Sequence, residues 1–123
     1  MITLNKHRRK DPNTGKLVYY PRWKKNSKIT KTEMAEIMAR GSTFSVGECE
    51  GIITDFAQYI LDQILEGKEV DLQGFGKFSP HVNGPSHENP SKVTTEGLEV
   101  TIRFKPDKAL QTRLDTKKKF RFV

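Results

Sequence analysis

The stretch Gly67-Lys68-Glu69-Val70-Asp71-Leu72-Gln73-Gly74-Phe75-Gly76-Lys77-Phe78 constrains this chain more than any other. Val70 and Leu72 alternate with Glu69, Asp71 and Gln73, the two-residue period of a strand with one buried face. Gly74 and Gly76 flank a single large apolar residue, so the backbone is free to take positive φ on either side of Phe75 while the ring turns inward. Phe78 then resumes the alternation. The stretch reads as strand, tight turn and strand, which alone describes an ordinary hairpin.

Two helices lead into it. In Thr30-Lys31-Thr32-Glu33 the threonine hydroxyl and the glutamate form a capping box, Met34, Ile37 and Met38 give a one-sided apolar stripe, and Gly41 stops the helix at Arg40. Ser45-Val46-Gly47-Glu48 repeats the box. The longer helix that follows carries Cys49, Ile52, Ile53, Phe56, Ile60, Ile64 and Leu65 at three- and four-residue steps, and ends at Gly67. This stripe is too broad for one short helix to cover. At about 25 cal/mol per Å² of apolar surface, leaving it wet costs several kcal/mol, so a second copy of the chain is the expected cover. The outer face holds Glu48, Glu50, Asp55, Asp62 and Glu66 and would repel phosphates, which argues against a recognition helix in a DNA groove.

A chain of 123 residues has room for one core and, if compact, buries somewhat under about 70% of its unfolded surface. The net charge of +7 is unevenly spread. Residues 1–28 hold nine cations and one acid, 29–78 hold four against nine, and 106–123 hold six against two. Basic ends around an acidic middle direct a polyanion to the termini and one edge of the body.

Other classes fit poorly. The lone Cys49 reads as a small buried hydrophobe, and no cysteine or histidine spacing suits a metal. His7, His81 and His87 lack a nearby nucleophile, and Glu69 with Asp71 reads as the solvated face of a strand, so no enzyme and no cofactor are expected. No apolar run is long enough to span a bilayer and no signal segment precedes the charged start, so a cytoplasmic setting is expected.

The flanking segments are less regular. Residues 1–28 form an expected hairpin, with Asp11-Pro12-Asn13-Thr14-Gly15 as the turn between Ile2 and Leu4 on one side and Leu17-Val18-Tyr19-Tyr20 on the other. Arg8, Arg9, Arg22 and Lys24 make it either a phosphate-touching flank or a solvated cover for a sheet edge. From Ser79 to Lys92 three prolines and a glycine argue against a central strand and leave an extended loop or a protruding ribbon. Leu98 to Phe104 alternates again, and Pro106 is placed in the first turn of a helix built on Ala109, Leu110 and Leu114. Residues 116–123 form a third strand for the hairpin or a free basic arm.

Taken in order, Lys31-Thr32-Glu33, Gly67-Lys68, Gly74-Phe75-Gly76-Lys77-Phe78 and Phe104-Lys105-Pro106-Asp107-Lys108-Ala109-Leu110 resemble the HU/IHF family of bacterial architectural DNA-binding proteins, from about Ile29 to Leu114. The added ends resemble the longer HU-related variants of Bacteroides-type bacteria. The resemblance implies an α+β fold: an intertwined homodimer with a helical base, a β-saddle and ribbon arms, in which residues 29–115 are the DNA-binding domain. It implies largely sequence-independent, nucleoid-associated binding of double-stranded DNA, with phosphates held by Lys31, the backbone at Gly76, Lys77, Lys105 and Lys108, aided by Arg103. It also implies a proline wedge at each arm tip, for which Glu88-Asn89-Pro90 is the nearest match, with Lys92 beside it. That arm carries Glu88, Glu96 and Glu99 against Lys92 alone, so the basic ends are expected to replace lost arm contacts. A dimeric assembly module with little affinity for DNA is the alternative.

Overall fold

The computed structural model describes residues 1–123. In chain order the elements are β1 (Ile2–Lys10), β2 (Leu17–Trp23), α1 (Lys31–Arg40), α2 (Val46–Leu65), β3 (Val70–Leu72), β4 (Gly76–Asn83), a 3-10 turn (Pro90–Lys92), β5 (Glu99–Pro106), α3 (Lys108–Lys117) and β6 (Phe120–Phe122). They make two three-stranded sheets, ordered β2-β1-β6 and β3-β4-β5.

Both early helices begin where the side chains dictate. The Ser45 amide donates to Glu48 Oε1 at 3.1 Å and the Glu48 amide donates to Ser45 Oγ at 3.1 Å, a complete capping box. Hydrogen bonding to the Glu48 carboxylate, from the Ser45 backbone first and from the Ser45 side chain second, holds this carboxyl below the ordinary glutamate range. At α1 the box is only half made. The Glu33 amide donates to Thr30 Oγ1 at 3.2 Å, but the glutamate carboxylate turns to the threonine hydroxyl, 3.1 Å away, and not to the Thr30 backbone. The chain leaves α2 through Gly67 at φ 74°, a left-handed conformation that suits glycine.

The sheet β3-β4-β5 is built on the glycine-flanked turn. Leu72 pairs with Gly76, and the Phe75 amide donates to the Leu72 carbonyl at 2.8 Å across the loop. Gly74 has the left-handed φ, 87°. Gly76 also has the expected positive φ, 159°, at the extended limit of that region, and the residue is needed for space as well. A Cβ there would run into the Phe104 ring and the Lys105 carbonyl oxygen on the neighbouring strand. Phe78 and Phe104 stack across the pair at 4.9 Å, Phe75 closes over Phe104 at 5.2 Å, and Phe56 of α2 meets Phe78 edge-on at 6.3 Å. One face of the sheet is thereby fixed against α2.

Of the two alternatives for the stretch after Phe78 the structure takes the ribbon at its start: β4 runs through Pro80 to Asn83, paired antiparallel with β5. Pairing with β3 stops at Phe78, so beyond it β4 has a neighbour on one side only, where a residue without an N–H is tolerated. Pro106 is the last residue of β5, not a helical one, because Asp107 takes the cap position of α3.

The core of the single chain is incomplete. Ala35, Cys49, Ile60 and Ile64 are its buried apolar residues. The first helix buries Ala35 against α2, not the expected stripe, and Met34 and Ile37 stay exposed with Ile52 and Phe56. The accessible surface is 10551 Å², whereas a compact monomer of this mass would show roughly 6,700 Å². The chain therefore buries about half of its unfolded surface, well short of the share expected for one compact core.

The terminal sheet brings the two ends together. Ile2, Thr3 and Leu4 pair in parallel with Phe120, Arg121 and Phe122, and Arg121 Nε donates to the buried Thr3 Oγ1 at 3.3 Å. The end of the basic tail, Phe120–Phe122, is thus a strand, while Lys117 closes α3.

Replacing Gly76 with valine is expected to destabilise the fold by about 1–3 kcal/mol, read as a fall in thermal midpoint; an unchanged midpoint would contradict the close approach described. Ser45→Ala is expected to cost about 1 kcal/mol in urea unfolding. A folded-state pKa below the unfolded one stabilises above the unfolded value, and that contribution is lost as pH falls through the folded one. The stability difference between the wild type and Glu48→Ala is therefore expected to shrink on acidification below about pH 4, and a pH-independent difference would contradict it.

Candidate nucleic-acid interface

Strand alternation sorts β4 and β5 into two faces. Phe78 with Phe104 and Val82 with Val100 lie on one; Lys77 with Lys105 and Ser79 with Arg103 lie on the other. The apolar face is the one held to α2, so the cations point away from it. Lys77 and Lys105 sit directly opposite each other, an arrangement that costs about 0.2–1 kcal/mol in the free protein and is relieved by an anion between them. Glu69 partly offsets Lys77, its Oε1 lying 3.7 Å from Lys77 Nζ with both groups half exposed.

The start of α3 completes the arrangement. Lys77, Lys105, Pro106, Asp107 and Lys108 line a cleft of about 240 Å³. Asp107 ties its parts together. Its Oδ2 accepts from the Gly74 amide at 2.7 Å, its Oδ1 accepts from the Lys108 amide at 2.8 Å, and its own amide donates to the Phe75 carbonyl at 3.0 Å. The hairpin turn and the positive end of α3 are thus locked in one geometry, with free cations on the rim. Asp107 was missed in reading the sequence, although an acid just ahead of a helical pattern is a cap signal.

The other expected contacts fall elsewhere. Lys31, at the start of α1, donates to Thr54 Oγ1 of α2 at 3.1 Å and so lies along the helical pair. Pro90 opens the 3-10 turn in the connection between β4 and β5, where Asn89 Oδ1 accepts from the Ser91 amide at 3.1 Å; Lys92 closes that turn. Arg8, Arg9 and Arg22 belong to the terminal sheet, and the Lys24 amide just beyond it donates to the Thr3 carbonyl at 2.8 Å. Arg9 and Arg22 share one face with Arg121, and the Arg9 guanidinium lies 5.5 Å from the centre of the Tyr20 ring. Arg8 projects from the opposite face. Arg121 was not a candidate from the sequence because the pairing that aligns it joins the two ends of the chain, and Tyr20 was not because its face follows only from the hairpin register.

A folded sheet of this kind beside a capped α3, on an α1–α2 base, defines an HU-type architecture. The family described as "HU domain fused to wHTH, Ig, or Glycine-rich motif" matches residues 2–121. The chain is 35% identical over 91 residues to integration host factor subunit beta of Shewanella pealeana, covering 71% of this chain and 96% of that one. The same subunit from Shewanella baltica is 37% identical over 92 residues, with the same coverage. Among solved structures, the Anabaena HU–DNA cocrystal superposes with a TM-score of 0.55 at 19% identity, over 72% of this chain and 97% of that one. A putative DNA-binding protein from Bacteroides vulgatus superposes with a TM-score of 0.69 at 11% identity over 98% of this chain, which spans 47% of that protein. The chain belongs to the HU/IHF family of bacterial architectural DNA-binding proteins, a non-enzymatic family, and its fold extends to the longer Bacteroides type. No helix is long and apolar enough to cross a membrane.

Asp107→Ala is expected to lower stability by about 1–2 kcal/mol in urea unfolding, as for a lost helix cap that also tethers a turn. Asp107→Asn keeps an acceptor for one of the two amides and is expected to lose less. Equal losses from both would show that the carboxylate bonds are not what holds turn to helix.

Proposed function

We propose that the protein is a homodimeric architectural binder of double-stranded DNA, associated with the nucleoid and taking phosphates on the polar face of the β4-β5 ribbon. The observation that carries this reading is the row of Lys77, Lys105 and Arg103, continued by Lys108 at the start of α3, on a face turned away from the acidic helices. These cations neutralise phosphates and read no bases, so affinity comes from counterion release and preference from duplex shape and deformability. The exposed Met34, Ile37, Ile52 and Phe56 supply the surface that a second chain covers, doubling the row.

In this reading the Gly76 backbone flanks the main row, and Lys31 adds a cation apart from it at the start of α1. The two ends of the chain add Arg9, Arg22 and Lys24, with Arg8 on the reverse of their sheet. The arm contributes little. Pro90 and Lys92 sit among Glu88 and Glu96, and a segment so charged draws weakly on a duplex. Residues 29–115 act as the DNA-binding unit, and the terminal sheet serves as its flank in place of strongly basic arms.

Duplex binding measured by fluorescence anisotropy tests this directly. With about 6–10 phosphate contacts, affinity is expected to fall by about 10³–10⁵ between 50 and 200 mM salt. Removing two cations per chain with Lys77→Ala and Lys105→Ala is expected to flatten the salt slope by about 3–4, whereas Pro90→Ala leaves it unchanged. A wild-type protein without duplex affinity at low salt would refute the reading.

A further inference from the structure

The two faces of the terminal sheet differ in chemistry. Arg9, Arg22, Arg121 and Tyr20 project from one. On the other, Trp23 and Phe122 flank Leu4 on either side, with Phe120 beside Ile2 and Tyr19 beside Arg8. Four of these side chains are rings in open solvent: Tyr19 is 67% exposed, Trp23 65%, Phe120 52% and Phe122 53%. Strand spacing puts Trp23 and Phe122 about 10 Å apart across β1, and Phe120 and Phe122 about 7 Å apart along β6. No strand of this sheet packs broadly on α1, α2 or the second sheet, so its own body does not cover the rings.

Cations are interleaved with the rings. Lys6 Nζ stands 5.4 Å over the centre of the Phe122 ring, and Arg8 is paired with Tyr19 on the same face. The three strands carry Lys6, Arg8, Arg9, Lys10, Arg22 and Arg121 and no acidic residue at all. An apolar protein surface gains nothing from so many unpaired cations, whereas a nucleic-acid strand with its bases turned out satisfies rings and cations together. Base–aromatic stacking tolerates any sequence, and flanking cations track the backbone.

We infer that the aromatic face of the terminal sheet is a second nucleic-acid site that takes unpaired bases of a single strand by stacking on Trp23, Tyr19, Phe120 and Phe122, with Lys6 and Arg8 on the phosphates. The inference rests on the nucleic-acid reading above and adds a different ligand on a different surface. A duplex keeps its bases stacked inside and meets the phosphate row, while a gapped, frayed or melted stretch reaches this face.

Trp23 is the only tryptophan in the chain and reports on the face directly. Full-length protein is titrated with oligo(dT), with oligo(U) and with a blunt duplex, following Trp23 emission together with the anisotropy of the labelled nucleic acid. The expected result is saturable quenching by a single strand, the two oligonucleotides separating DNA from RNA, while the duplex binds with little change in Trp23 emission. Phe122→Ala and Tyr19→Ala are each expected to weaken single-strand binding by about fivefold to a hundredfold and to leave duplex binding unchanged. Duplex binding with no Trp23 response to either oligonucleotide would overturn this inference alone. Emission that is blue-shifted and follows protein concentration instead would assign the face to another copy of the chain and also overturn it. Quenching by single strands in a protein that ignores the duplex would uphold this site and sink the duplex reading.

Discussion

A helix of twenty residues, Val46–Leu65, carries an apolar spine that its own chain leaves half wet. The rest of the structure depends on how that spine is covered. Phe56 lies partway along it and meets Phe78, so the helix is also the floor on which the β3-β4-β5 sheet rests. Closing the spine against a second chain would set the relation between two helical bases and between two sheets at once. The hydrophobic term that favours pairing is then the same one that aligns the cations, since the face opposite the buried rings is where Lys77, Arg103 and Lys105 emerge.

The pleat performs the separation of charge. Two residues per repeat place every ring of β4 and β5 inward and every cation outward without any dedicated loop. Gly76 lets the strands approach closely enough for Phe104 to pack, and Asp107 then fixes the turn to the first residues of α3. One carboxylate set among lysines lowers the local positive potential, yet it holds the helix end where its dipole supports an anion. The acidic residues of α1 and α2 sit elsewhere, but on the polar face itself Asp71 lies opposite Lys77, Glu69 lies beside it and Glu99 shares the face with Arg103, so the cations there are partly offset. The terminal sheet uses the pleat less strictly, with Arg9, Arg22, Arg121 and Tyr20 on one side and Lys6 and Arg8 standing among the rings of the other.

Much of this was legible in the sequence wherever the cause is local. The Ser45 capping box, the bounds of α1 and the glycine-flanked turn each depend on residues within a few positions, and the structure keeps them. Misreadings and open choices arose where a distant neighbour decides. Pro80 leaves loop and ribbon both open until it is known that β3 ends its pairing at Phe78 and leaves an open edge. Pro106 looks like a helix opener until Asp107 is seen bonding to Gly74, thirty-three residues away. Met34 and Ile37 looked like core, and in the single chain they face outward while Ala35 is buried. The pairing of Ile2–Leu4 with Phe120–Phe122 joins the two ends of the sequence; the pattern left strand and free arm both open, and only the fold decides for the strand. The cationic row was recognised residue by residue from its resemblance to a family, but its common face follows only from the register.

The most direct measurement is the mass of the protein in solution, by sedimentation equilibrium in the absence of DNA across a wide range of concentration. Two chains, persisting to high dilution, are expected if the helical spine is shared. A single chain throughout, with the hydrodynamic behaviour of a compact particle, would contradict the shared spine and remove the basis for a doubled cationic rim.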